Sequence, residues 1–190
     1  MKNIIGFVLI VTLLYSCNTQ IKTDERKVSR IETTIEYLVI DENFTKDTTK
    51  YKTSIKKYDA NNNLLEEMDY FNNIFYGGLI YKYNSENKKT NEYLISSNGD
   101  YTHYEYKHLP NQIDKYRIYK NKHQEKVEST FLDSNSISND IVMSEQNQRR
   151  EIFTYESYDN KGNWLIRKSF KNDMPHSVTY KSIEYRNESD

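Results

Sequence analysis

Much of what a small globular domain ordinarily relies on is scarce in this chain. A single cysteine among 190 residues rules out an intrachain disulfide and any zinc site built on two or more thiolates. With only 5 glycines and 2 prolines, most tight turns must take their left-handed backbone from another residue type. No apolar run approaches the roughly 20 residues that a membrane-spanning helix requires; the longest, Ile4 to Leu14, is about half that. The formal net charge is −1, so the basic surplus that a phosphate backbone demands is missing and nucleic acid is not expected as a partner.

Catalytic signatures are equally sparse. No Gly-x-Ser-x-Gly elbow, His-Glu-x-x-His pair or glycine-rich phosphate loop occurs. Of the four histidines, His103 lies two residues from Glu105, a spacing that puts both on one strand face, while His108 points to the other. A third metal ligand is then missing nearby, and solvated strand residues are the expectation. The chain therefore reads as non-enzymatic, without cofactor or metal, and the alternative is an envelope enzyme of unassigned reaction.

What is present begins at the N-terminus. Lys2, the apolar stretch and then Leu14-Tyr15-Ser16-Cys17 form a short signal ending at the lone cysteine. The tetrapeptide resembles the lipobox of bacterial lipoproteins, with Tyr15 standing where that family usually places a small residue. The resemblance implies cleavage after residue 16, a diacylglyceryl group on Cys17 and retention on a membrane by two or more acyl chains. Asn18, rather than an aspartate, follows the cysteine, which in enterobacterial lipoproteins points to the outer membrane. Residues 17–30 are polar and mixed in charge and read as the lipidated end and its tether. One domain, 31–187, follows.

Tyrosine is abundant: 18, against 7 Phe and 1 Trp. Its ring covers an apolar face while its hydroxyl stays wet, which suits strands that are only half buried. An aromatic followed by an asparagine-rich turn recurs at Tyr58, Tyr83, Tyr106, Phe131 and Tyr158, 23 to 27 residues apart. Four residues on stand Asn62, Asn87, Pro110, Asn135 and Gly162. Asn and Gly tolerate the left-handed backbone of a tight hairpin; Pro110 does not, so a different turn is expected there. Second turn clusters at Asn72-Asn73, Asn98-Gly99, Asn121-Lys122 and Asn172-Asp173 make each unit one hairpin. Segments 33–40, 101–108, 151–158 and 164–170 read as strands. The fold expected is all-β, an antiparallel meander of about ten strands forming an open curved sheet, with a closed barrel as the alternative.

The final unit, Tyr155-Glu156-Ser157-Tyr158-Asp159-Asn160-Lys161-Gly162-Asn163-Trp164 with Phe170-Lys171-Asn172-Asp173 and Glu184-Tyr185, resembles the tyrosine-aspartate (YD, Rhs-like) repeats. These occur in bacterial envelope lipoproteins and in the β-shell of rearrangement-hotspot toxins. That resemblance implies a meander and no activity. The function expected is a lipid-anchored envelope protein that binds a protein or glycan through a tyrosine-rich sheet face. Tyr101, Tyr104, Tyr106, Tyr116, Tyr119 and Trp164 are the candidate contacts, unless these rings simply pack a sheet poor in aliphatics. An immunity or accessory lipoprotein of a secreted toxin is a further alternative.

Overall fold

The computed structural model describes residues 26–131 and 151–186; the signal, Cys17 and the turn unit around Asn135 lie outside them. The described residues form one antiparallel sheet of eleven strands. These are β1 (Arg30–Val39), β2 (Lys46–Tyr58), β3 (Leu64–Phe71), β4 (Ile74–Tyr83), β5 (Lys89–Ser96), β6 (Tyr101–Leu109), β7 (Gln112–Ile118), β8 (Gln124–Phe131), β9 (Glu151–Tyr158), β10 (Trp164–Lys171) and β11 (Met174–Tyr185). Their order is β8-β7-β6-β5-β4-β3-β2-β1-β11-β10-β9. The sheet is open, with β8 and β9 as its edges. Two meanders meet at β1, whose partner β11 runs beside it from Arg30↔Tyr185 to Leu38↔Ser177.

Turn chemistry dictates the reversals. Asn62 (φ 66°), Asn87 (φ 60°) and Gly162 (φ 81°) hold the left-handed position expected of them. In each turn the side chain three residues earlier braces the loop: Asp59 Oδ1 accepts the amides of Asn61 and Asn63, and Asp159 Oδ1 those of Lys161 and Asn163. Asn84 does the same for Glu86 and Lys88. A type I turn closed by one left-handed residue is the three-residue hairpin that matches sheet twist. Asn72-Asn73 and Asn172-Asp173 are two-residue turns with both φ positive. Pro110 and Asn111 join β6 to β7 without a positive φ, the different turn expected at a ring-locked residue.

Several strand boundaries in the two halves lie 100 residues apart. β3 begins at Leu64 and ends at Phe71, and β10 begins at Trp164 and ends at Lys171; β4 and β11 start at Ile74 and Met174. β1 sits between β2 and β11.

Strands touch their ladder neighbours and essentially nothing else among the described residues, so the sheet is a single layer. Only Leu65, Ile80 and Val178 are buried apolar side chains there. Cross-strand pairs take the place of a second layer. One face carries Tyr37 against Tyr51 and Tyr180, Tyr70 against Phe75, and Tyr93 against Tyr101, with ring centroids 5.6–6.2 Å apart. Cations lie over many rings as well, such as Arg30 over Tyr58 at 4.1 Å and Lys46 over Tyr180 at 4.7 Å. Each such contact contributes about 0.5–1 kcal/mol when exposed. Tyrosine is thus frequent because its ring packs sideways along a sheet wetted on both faces.

Candidate functional site

Alternation along β1 separates a largely apolar face from a charged one. In β1, Ile31, Ile35 and Tyr37 project one way, and Glu32, Thr34 and Glu36 the other. Register carries the second set onto Lys56, Ser54 and Lys52 of β2 and onto Ile183, Lys181 and Thr179 of β11. A slip at Trp164/Ile166 in the β9–β10 ladder lets Trp164 join that charged face, where Lys181 Nζ lies 3.9 Å from its ring centre.

The result is a depression of about 270 Å³ across the β1 seam, lined by Glu32, Thr34, Glu36, Lys52, Ser54, Lys56, Tyr58, Glu67, Trp164, Arg167, Thr179 and Lys181. Its walls come from both ends of the sequence, and the β1–β11 pairing makes them adjacent. Most charges inside are matched. Lys52 pairs with Asp69 at 2.9 Å, Lys56 with Glu67 at 3.0 Å and Lys181 with Glu32 at 3.6 Å. Burial works against the Lys56 ammonium, yet the Glu67 carboxylate outweighs it and holds the Lys56 pKa above its usual value. Burial, reinforced by Glu32, raises the Tyr58 phenol, which stays protonated at neutral pH. Glu36 accepts from Ser177 Oγ at 2.7 Å, and Ser177 in turn lies 2.8 Å from Ser169 in a buried chain.

Arg167 is the exception. Its guanidinium lies 4.8 Å from the Phe153 ring centre and 5.2 Å from that of Trp164, and its one hydrogen bond is a 3.5 Å contact to Thr179 Oγ1. Its Nε is buried without a hydrogen-bond partner. The groove thus holds three carboxylates against four cations, with the surplus positive charge at Arg167. Such an arrangement can bind and orient an anion; among the described residues no group of three or more His, Cys, Asp or Glu is placed to hold a metal.

The six aromatic candidates do not form one patch. Trp164 lies in the groove. Tyr104 and Tyr106 share its face, several strands away, around buried Glu92: Tyr106 donates to Glu92 at 2.6 Å, Lys115 bonds the same carboxylate at 2.9 Å, and Lys115 lies 4.3 Å from the Tyr104 ring. Burial raises Tyr106, and its bond to the Glu92 carboxylate raises it further. Burial opposes ionisation of Glu92 too, but Tyr106 and Lys115 together hold it below the usual carboxylate range. Tyr101 and Tyr116 face the other way, Tyr101 against Tyr93 and Tyr116 under Lys107 at 4.4 Å. Tyr119 lies beyond β7 and donates to Glu125. His103 stacks on Tyr93 at 4.5 Å and bonds Asn91, while His108 meets the Lys89 carbonyl across the sheet.

Arg167, Lys181 and Glu36 were not among the sequence candidates. Charged residues at alternate positions, Arg30, Glu32 and Glu36, could have marked one face of β1, but β11 lies some 140 residues later and nothing local marks it as the neighbour.

No protein-family model and no curated protein matches the chain. Among solved structures, a porin-like protein from Bacteroides uniformis aligns over 85% of this chain and 99% of its own, at 10% identity and a TM-score of 0.29. That similarity is too low to carry fold or function across.

Proposed function

We propose that this protein is a lipid-anchored, non-enzymatic component of the bacterial cell envelope, held by Cys17 at the outer membrane, whose sheet binds a partner through its charged face. The tyrosine-aspartate repeat lipoproteins are the family it resembles. The observation that carries the reading is the groove: an open, single-layered sheet places a tryptophan, a guanidinium without a carboxylate partner and three lysines already met by carboxylates in one concavity, and such a set serves recognition. The lipobox-like Leu14-Tyr15-Ser16-Cys17 supports the anchor.

Both parts are testable in the producing cell. Labelled palmitate should enter the wild-type protein and keep it in the membrane pellet, and Cys17→Ala should lose both label and pellet. A photo-cross-linking residue at Thr34, in the groove, should give a discrete adduct that the same residue at Thr33, on the opposite face, does not. Equal adducts at both positions, or none at Thr34, would contradict a binding role for this face.

A further inference from the structure

We infer that the groove receives a carboxylate from an acidic segment of a protein partner, with Arg167 as its anchor. The inference rests on the reading that this face binds a partner, and it specifies the chemistry.

Every lysine lining the groove has a carboxylate within 3.6 Å. Arg167 has none among the described residues, although it is the cation best shaped for one: a planar guanidinium offers two parallel N–H donors to a carboxylate. The strand register keeps carboxylates away from it. Arg167 stands opposite Thr179, and Thr179 stands opposite Glu36, so the nearest acid in that row is two strand spacings, about 9.6 Å, away. Glu36 is moreover engaged by Ser177. Nη1 makes no hydrogen bond among the described residues and is not buried as Nε is, so an arriving carboxylate would engage the guanidinium there. The Phe153 and Trp164 rings both lie against the guanidinium, so the donor is positioned before the ligand arrives.

The flanking surface favours a protein over a glycan. A sugar needs an open aromatic face, whereas Trp164 already carries Lys181 at 3.9 Å and Arg167 at 5.2 Å. On the same face, toward the hairpin tips, Leu38, Phe71, Ile74 and Met174 are 44–73% exposed. Apolar side chains beside a charged pocket suit a polypeptide that presents an acid next to apolar residues.

Trp164 is the sole tryptophan, so its emission reports this site alone. The full-length protein, excited at 295 nm, is titrated with an acetylated hexaglutamate peptide, with sodium glucuronate and with sodium chloride at matched ionic strength. The peptide should give a saturable change and the chloride none. Arg167→Gln should weaken the peptide about tenfold or more, Arg167→Lys should restore part of the loss, and Lys120→Gln, on an exposed turn far along the sheet, should leave it unchanged. Circular dichroism of each variant establishes that the sheet is intact; if Arg167→Gln does not fold, the contrast between Arg167→Lys and Lys120→Gln decides. A response that is absent, that survives Arg167→Gln, or that glucuronate saturates at lower concentration than the peptide overturns the inference. A persisting Thr34 adduct in cells with undiminished yield in Arg167→Gln would also overturn it while leaving the binding role of this face standing.

Discussion

Asp59 and Asp159 occupy equivalent places in their turns, and each serves as acceptor for two backbone amides and an asparagine side chain. The Asn163 amide, with the backbone N–H groups around it and the Tyr185 hydroxyl, brings the Asp159 pKa from the usual 3.8 to about 2. Lys126 and Gln112 bring Asp114 to about 2 as well. A folded-state pKa below the unfolded one means stability that is complete above the unfolded value and lost as pH falls through the folded one. The urea midpoint should therefore hold from neutral pH to about pH 4 and fall between about pH 4 and pH 2, with a smaller fall in Asp159→Asn. A midpoint that rises on acidification would contradict this assignment. At this scale much was legible, because Asn62, Asn87 and Gly162 carry the turn chemistry that their backbone angles require. Phe44 (φ 59°) and Lys122 (φ 63°) hold the same conformation without it. Phe44 instead packs edge-on against Phe170 at 5.2 Å, a tertiary contact that outweighs local preference and leaves no trace in the neighbouring sequence.

Strands β3 and β4 illustrate how narrowly neighbouring elements fit in a sheet with so few buried aliphatics. A Cβ on Gly78 would meet Met68 Sδ at 2.5 Å and the Glu67 carbonyl oxygen at 2.7 Å. The thioether can swing aside; the carbonyl belongs to the paired strand and cannot. Gly78→Ala should accordingly destabilise the protein by about 1–3 kcal/mol, read as a lower urea midpoint with unchanged slope. A neutral or stabilising substitution would show that the ladder at Glu67 yields more readily than its hydrogen bonds suggest. Period-two alternation and the paired turn clusters anticipated the strands at 101–108, 151–158 and 164–170 to within a residue or two. The slips in register at Lys57/Tyr58 and Trp164/Ile166 were not anticipated, since an extra residue in one strand is defined only by its partner. One of those slips turns Trp164 toward the groove, and so the groove could not be foreseen from alternation alone.

Across the whole molecule, the decisive feature is the seam. β1 precedes one meander, β11 ends the other, and their pairing places residues 32–67 beside residues 164–181 on a single charged face. An antiparallel meander is readable from turns, because each hairpin is local. The joining of the two arrays is not, because it depends on a contact between strands near opposite ends of the chain and pays its loop-closure cost only once both arrays have formed. The charged groove exists only if that contact does. Cysteines at Thr33→Cys and Ser182→Cys, or one step along at Thr34→Cys and Lys181→Cys, test it directly in a Cys17→Ser background, since these residues face one another across β1 and β11. Mild oxidation should give an intrachain disulfide in at least one of the two pairs, visible as a faster-migrating monomer that reduction reverses. Failure of both pairs to close within the chain, or cross-links formed only between molecules, would contradict the seam and with it the groove.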